Sequence, residues 1–317
     1  MNKSEMIKDD MKDITEKFDG VRLIGEGAFG SVYAVHIKGE KRTAALKIIN
    51  DLSIWRNEKR FLALADHPAF PKLERAWEED GKGCLLMSYI YGERLDVTLD
   101  RRGRFNQADA MRIALGIADG IAYLQQREGH PVFRDIKASN IILQPDGEPA
   151  IVDFGSVCFL EDAGKSLSGT KGYAAPETAN MTAGGAVAKS ADDTGRASDT
   201  PKVGLYTDVY SFGKLFMYLL TGEAPAEGYP GRLREYDPAL SPSLELLIDD
   251  CVSDEAGYRP PDMYSVLDRM MTIGTATPRK LKKMEKQAAA AMAKRDMDPP
   301  RGEADETRVK YIKNISE

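Results

Sequence analysis

Between Phe18 and Lys72 apolar and polar residues alternate in short runs. VRLIG, SVYAVHI and TAALKII each read as a strand, with glycine-containing turns between them. One helical segment interrupts them, roughly Ser53 to Ala65, offering Ile54, Phe61, Leu62 and Leu64 to a buried face. Cys84 to Tyr91 reads as another buried strand. The period then lengthens: Ile113, Ile117, Ile121 and Leu124 fall near one face of a helix over Gln107 to Gln126. Val209 to Leu220 is the longest apolar candidate, but Ser211, Gly213 and Lys214 break it. It reads as a core helix, well short of the ~18 apolar residues of a membrane span. This order predicts an α+β protein with two lobes, a small β-rich one followed by a larger α-helical one.

Three stretches stand outside that pattern. Residues 1–17 form a polar leader, charged throughout and without the apolar core of a signal peptide. Thr178 to Gly204 is rich in Ala, Gly, Ser, Thr and Asp, and reads as a loop insertion. From Pro278 the run RKLKKMEKQAAAAMAKR favours a helix. Its thin apolar face reads as solvated, and its basic face suits an acidic partner or a membrane surface. The residues after it read as unstructured.

Composition narrows the class without naming it. The 317 residues are 42% apolar and 30% charged with a net charge of -6, so bulk charge does not suggest a nucleic-acid binder. Cys84, Cys158 and Cys251 have neither metal-ligand spacing nor a disulfide pattern and read as reduced thiols in a cytoplasmic protein, with a redox switch at Cys158 as a lesser option.

The chemistry lies in a few short motifs. Gly25, Gly27 and Gly30 follow one predicted strand and lead into another through Val32, so this is a glycine-rich hairpin and not the strand-to-helix turn of a dinucleotide fold. Such a hairpin lets backbone N–H groups approach phosphates. Lys47 sits on an otherwise apolar strand and needs a partner. Glu58, on the following helix, is the candidate, since Asp51 and Asp66 do not fall mid-helix. Here the sequence resembles the protein kinase family, in which the strand lysine holds the α- and β-phosphates of ATP and pairs with a helix glutamate. The interval from Lys47 to Glu58 is short for that family and implies a trimmed loop.

Phe133-Arg134-Asp135-Ile136-Lys137-Ala138-Ser139-Asn140, followed by Asp153-Phe154-Gly155, is similar to the family's catalytic loop and metal-binding motif in the same order. The resemblance implies that Asp135 orients the acceptor hydroxyl and takes its proton, with Lys137 near the γ-phosphate. Asn140 and Asp153 would hold magnesium, with manganese as an alternative ion. Phe133 stands where histidine is usual, and Ala138 where proline is common. Neither change removes a functional atom.

Ser166 to Glu177 resembles the end of an activation segment. Ser166, Ser168 and Thr170 are the candidate regulatory phosphosites, Ser166 first. Arg134 supplies the cation that a phosphate would neutralise. Thr170 with Lys137 points to serine/threonine specificity. Glu177 is expected to pair with Arg259, and Asp208 to brace the catalytic loop. The resemblance places adenine among Val32, Ala45, Ile142, Met87 and the hinge Ser88-Tyr89-Ile90, and stacks Leu62, Leu73, Phe133 and Phe154 as a spine. It covers residues 18–273, with the small lobe at about 18–87, a hinge at 88–92 and the large lobe at about 93–273. Residues 274–317 form a tail.

The sequence most resembles a bacterial member of the family's eukaryotic-like serine/threonine kinases. The expectation is an ATP-dependent serine/threonine kinase acting on proteins, with transient dimers for autophosphorylation. The competing readings are a pseudokinase, which would lack Lys47, Asp135, Asn140 or Asp153, and a small-molecule kinase, which would lack the Gly169 to Glu177 segment and its Arg259 partner.

Overall fold

The computed structural model describes residues 18–27, 30–165, 169–179, 203–225 and 232–297. Ser166, Ser168, the leader 1–17, most of the insertion and the end of the tail lie outside the described residues. The first lobe is an antiparallel sheet of five strands in the order β1-β2-β3-β5-β4. They are β1 (Phe18–Gly27), β2 (Gly30–Ile37), β3 (Thr43–Ile49), β4 (Leu73–Glu79) and β5 (Lys82–Ser88). Because side chains alternate along a strand, the sheet sorts its residues onto two faces. Tyr33, Val35, Leu46, Ile48, Cys84 and Leu86 bury together on one. Val32, Ala45 and Lys47 take the other, with Val32 opposite Lys47 and Ala45 opposite Met87 in the ladders.

Helix α1 (Leu52–Leu64) packs across β3, β4 and β5. It begins where the Asp51 side chain accepts the Ser53 N–H at 2.7 Å, a cap that satisfies one of the orphan donors. Its buried face is Trp55, Glu58, Phe61 and Leu62. Ile54 and Leu64, expected on that face, are only half-buried, since Trp55 and Glu58 take the inward positions.

The second lobe is built on α2 (Leu95–Arg102), α3 (Gln107–Gln125), α4 (Pro176–Ala179), α5 (Leu205–Thr221), α6 (Leu233–Tyr236), α7 (Pro242–Cys251) and α8 (Met263–Thr275). Every residue of α5 from Thr207 to Leu220 is buried, including its polar interruptions. Gly213 is one reason: a Cβ there would stand 2.7 Å from the Cβ of Cys251, so its absence lets α7 approach closely. Five short strands, not foreseen, carry the loops between the lobes. β6 (Glu93–Arg94), β8 (Ile141–Leu143) and β9 (Pro149–Ile151) form one sheet, and β7 (Pro131–Val132) pairs with β10 (Cys158–Phe159).

The basic helix α9 (Pro278–Met297) is docked, contrary to the solvated helix expected. Met284, Ala288, Ala291 and Met292 recur at helical spacing and bury against α7, whose Leu244, Leu246, Leu247 and Ile248 belong to the same core. Arg279, Lys280, Lys282, Lys283 and Lys286 stay exposed. Among the described residues, no helix is long and apolar enough to cross a membrane. The three cysteines are buried and none of them forms a disulfide. Burial pushes the Cys158 thiol up to about 11, which disfavours the thiolate that a redox switch at Cys158 needs.

Candidate functional site

A cleft of about 740 Å³ lies between the lobes, a size suited to a small ligand. Gly25, Gly27, Gly30, Val32, Ala45, Lys47, Met87, Ser88, Tyr89, Ile90 and Ile142 all line it, as do Asp135, Lys137, Asn140 and Asp153. The glycines differ in what the fold asks of them. A Cβ on Gly30 would fall 1.8 Å from the Ile48 carbonyl oxygen, so that position admits only glycine. A Cβ on Gly27 would meet nothing within 4 Å. Packing therefore does not explain Gly27, and the open space beside it leaves its backbone accessible from the cleft.

Lys47 is the electrostatic centre. Its Nζ donates to Glu58 Oε1 at 2.6 Å and to Asp153 Oδ1 at 3.0 Å. Burial alone would discharge the ammonium, but the Glu58 and Asp153 charges outweigh it and hold Lys47 above its ordinary range. Burial pushes the Glu58 carboxyl up, against the pull of Lys47. Asp153 is only half-buried; the burial it has pushes its carboxyl up, yet Lys47 and the Gly155 N–H hold it below the usual range.

Asp135 lies across the cleft in a closed set of hydrogen bonds. Lys137 Nζ donates to Asp135 Oδ2 at 2.8 Å and to Thr170 Oγ1 at 2.8 Å, and Thr170 Oγ1 donates to Asp135 Oδ1 at 2.6 Å. Thr170, counted among the candidate phosphosites, thus has its hydroxyl engaged inside the site. A phosphate on it would set a second negative group against Asp135, so the geometry argues against that assignment. Asn140 Nδ2 donates to the Asp135 carbonyl oxygen at 3.0 Å. With the nitrogen engaged, its carboxamide oxygen is the atom left for a cation.

The loop carrying Asp135 is strained, since Arg134 has φ 63°. Asp208, wholly buried on α5, holds it by accepting the N–H groups of Phe133 at 2.9 Å and Arg134 at 2.8 Å, as expected of a brace. Gln125 Nε2 donates to the same carboxylate at 2.9 Å. Arg134 Nε donates to the Ser156 carbonyl at 2.8 Å. Phe133 and Phe154 have ring centroids 5.6 Å apart, and Phe70 joins both at 6.0 Å and 5.2 Å. Leu62 is buried and Leu73 half-buried in the same core. Below the cleft, Arg259 makes a two-pronged pair with Glu177, at 2.7 Å and 2.9 Å, both side chains fully enclosed.

The family model described as the protein kinase domain matches residues 18–242. The chain belongs to that family. A leucine-rich repeat receptor-like protein kinase from Arabidopsis thaliana is 33% identical over 229 residues, 66% of this chain and 19% of the relative. A receptor-like cytoplasmic serine/threonine-protein kinase from Gossypium barbadense is 32% identical over 235 residues, 68% of this chain and 46% of the relative. The catalytic subunit of a cAMP-dependent protein kinase from Homo sapiens is 34% identical over 170 residues, 51% of this chain and 47% of the relative. The chain spans under half the length of each of these three.

Protein kinases use ATP and a divalent metal ion. The donor set fits such an ion. Asn140 and Asp153 offer hard oxygen atoms, and among the described residues no three His, Cys, Asp or Glu side chains gather to hold a metal by themselves. A divalent ion held by these two residues would supply charge neutralisation at the phosphates.

Several residues that build this kinase site escaped the sequence reading. Phe70, Gln125 and Thr207, whose Oγ1 donates to Glu177 Oε1 at 2.8 Å, are examples. Asn57 beside Glu58 is another, and only its adjacency to a charged residue on an inward helix face could have marked it.

Proposed function

We propose that the chain is an active serine/threonine protein kinase that transfers the γ-phosphate of ATP to protein hydroxyls. The supporting observation is the convergence on one cleft of the Lys47–Glu58–Asp153 set and the Asp135–Lys137–Thr170 set. Lys47, held by Glu58, orients the α- and β-phosphates. Asp135 directs a serine or threonine hydroxyl at the γ-phosphorus and accepts its proton as the new O–P bond forms. The bond to the bridging oxygen breaks, and ADP leaves. Lys137 lies beside the transferring group and offsets its charge. Asn140 and Asp153 would hold magnesium, with manganese able to replace it, and such an ion supplies charge neutralisation at the phosphates. Adenine lies against Val32, Ala45 and Ile142, with Met87 behind it and the backbone of Ser88 to Ile90 as hydrogen-bonding partner.

The enclosed Glu177–Arg259 pair and the Thr170 contact favour a protein kinase over a small-molecule kinase, and the complete polar set favours activity over a pseudokinase. Incubation with labelled ATP, magnesium and a generic protein substrate tests this. Transfer by the wild type and none by Asp135→Ala is expected. Equal transfer by both proteins, or none by the wild type, refutes it.

The finer expectations belong to the same reading. Ser166, with Ser168 as second choice, is autophosphorylated in a transient dimer, the phosphate meeting Arg134; phosphopeptide mapping of active enzyme reports on this. The protein works in the cytoplasm. The exposed basic row of α9 takes an acidic protein partner in preference to a membrane, since that row carries no large apolar residue to insert into lipid.

A further inference from the structure

The Lys47–Glu58 contact is only as well placed as the helix that carries Glu58, and α1 is gripped from two sides by the chain's own residues. On the sheet side Trp55 packs closely against Gly83 of β5. A Cβ on Gly83 would stand 2.0 Å from the indole Cγ, so glycine is what admits the ring. The indole Nε1 also donates to the Cys84 carbonyl at 3.2 Å. On the other side, three residues of α1 reach the segment after Asp153-Phe154-Gly155. Asn57 Nδ2 donates to the Val157 carbonyl oxygen at 2.7 Å. The Phe61 ring meets Phe159 at 4.8 Å, and the Arg60 guanidinium lies over the same ring at 4.1 Å.

These contacts have a mechanical consequence. Phe159 lies in β10, paired residue for residue with β7, and β7 runs straight into Phe133, Arg134 and Asp135. The Asn57 tether therefore joins the helix of Glu58 to both polypeptide segments that bear the acidic groups of the cleft. Asn57 itself is not one of the residues lining the cleft and lies one residue before Glu58.

We propose that Asn57 is a positioning residue for phosphoryl transfer, acting through Glu58, with Trp55 on Gly83 as the opposite jaw of the clamp. This rests on the kinase reading above and adds to it a named residue outside the reacting set. The donor is what matters. In Asn57→Asp the side chain keeps its shape, loses its N–H, and turns a carboxylate oxygen toward the Val157 carbonyl. The helix end is pushed away from β10, and Lys47 loses its aligned partner. The apolar walls and hinge of the nucleotide pocket are untouched, so the loss falls on turnover.

The test compares wild type, Asn57→Asp, Glu58→Gln and the double variant, with Arg56→Ala as an exposed control on the same helix. Asn57→Asp is expected to lower kcat by roughly three- to tenfold, with KM for ATP within about twofold. In the Glu58→Gln background the same change is expected to cost less than about twofold, because its route to the phosphates is already cut. Arg56→Ala is expected to match the wild type. Wild-type kcat in Asn57→Asp, or losses that multiply in the double variant, would overturn the proposal. Amide hydrogen exchange across residues 54–62, read on the same proteins, separates this from failure of the kinase reading. If the wild type transfers no phosphate, that reading falls. Faster exchange in Asn57→Asp then still upholds the tether, and unchanged exchange ends it.

Discussion

Thr170→Val is the most informative single substitution at the site. Valine matches threonine in shape but replaces the hydroxyl with a methyl group. Two contacts vanish together: the 2.6 Å bond to Asp135 Oδ1 and the 2.8 Å bond from Lys137 Nζ. Hydrogen bonds to charged groups are worth about 1.5–3 kcal/mol each. Lys137 keeps its 2.8 Å bond to Asp135 Oδ2, so the carboxylate stays anchored on one side. Counting the Asp135 bond alone, a loss of about 1.5–3 kcal/mol corresponds to roughly 10- to 150-fold in kcat/KM for a protein substrate. Water reaching the vacated oxygen moves the result toward the lower figure. The KM for ATP should hold, because no adenine or phosphate contact is touched.

Steady-state kinetics on a fixed peptide, with Thr170→Ser alongside, measures this. Serine keeps the hydroxyl and should stay within about threefold of the wild type, since the hydrogen-bonding atom is retained. Thr170→Glu brings a second carboxylate beside Asp135 and should fall below valine. Valine within twofold of the wild type would refute the positioning argument. Glutamate more active than the wild type would return Thr170 to the role of an activating phosphosite.

Arg259→Ala leaves Glu177 as an enclosed, unpaired charge and should lower unfolding free energy by about 3–5 kcal/mol, read by urea denaturation. A loss below about 1 kcal/mol would mean that water reaches the pair. On α9, Met284→Ala should cost about 2 kcal/mol or more while Lys283→Ala changes stability by less than about 0.5 kcal/mol. Equal small effects would return α9 to a solvated helix. Burial pushes the Asp208 carboxyl up to about 6, against the pull of the Phe133 and Arg134 N–H groups and Gln125. A carboxyl raised from its ordinary 3.8 binds its proton first in the folded state, so this group's contribution to stability grows as pH falls from about 6 to about 4. The wild-type-minus-Asp208→Asn stability difference should therefore rise across that window, and a flat difference would contradict the shift.

The sequence marked the cleft better than its supports, for a physical reason. Lys47, Glu58, Asp135, Asn140 and Asp153 carry charge or hard donors at fixed intervals, so each shows against an apolar or loop background. The sheet lobe was legible because alternation survives in three strands in succession. The short strands β6 to β10 were not, since two or three residues cannot establish a period. Asn57 and Gln125 are polar residues on helices, where most such residues are solvated, and only the fold shows that their amides meet a carbonyl and a carboxylate. The docking of α9 was missed because alanine and methionine make a thin stripe in sequence, although against the leucines of α7 that stripe is enough to bury.

Helix α5 shows how a run that looks merely apolar can organise the site. Thr207, Asp208 and Ser211 fall on one side of it at helical spacing. Thr207 donates to Glu177, Asp208 accepts from the loop of Asp135, and Ser211 Oγ donates to the Tyr173 carbonyl at 2.9 Å. One face of a single helix therefore fixes the catalytic loop, the chain just after Thr170 and the start of α4. Of the residues that broke the apolar pattern, Ser211 is one of those anchor points, and Thr207 and Asp208 stand just ahead of the apolar run. Buried where they are, each would cost stability unless its partner were in place. The same residues that make α5 imperfect as a core helix thus keep Asp135 and Thr170 within hydrogen-bonding distance before any substrate arrives.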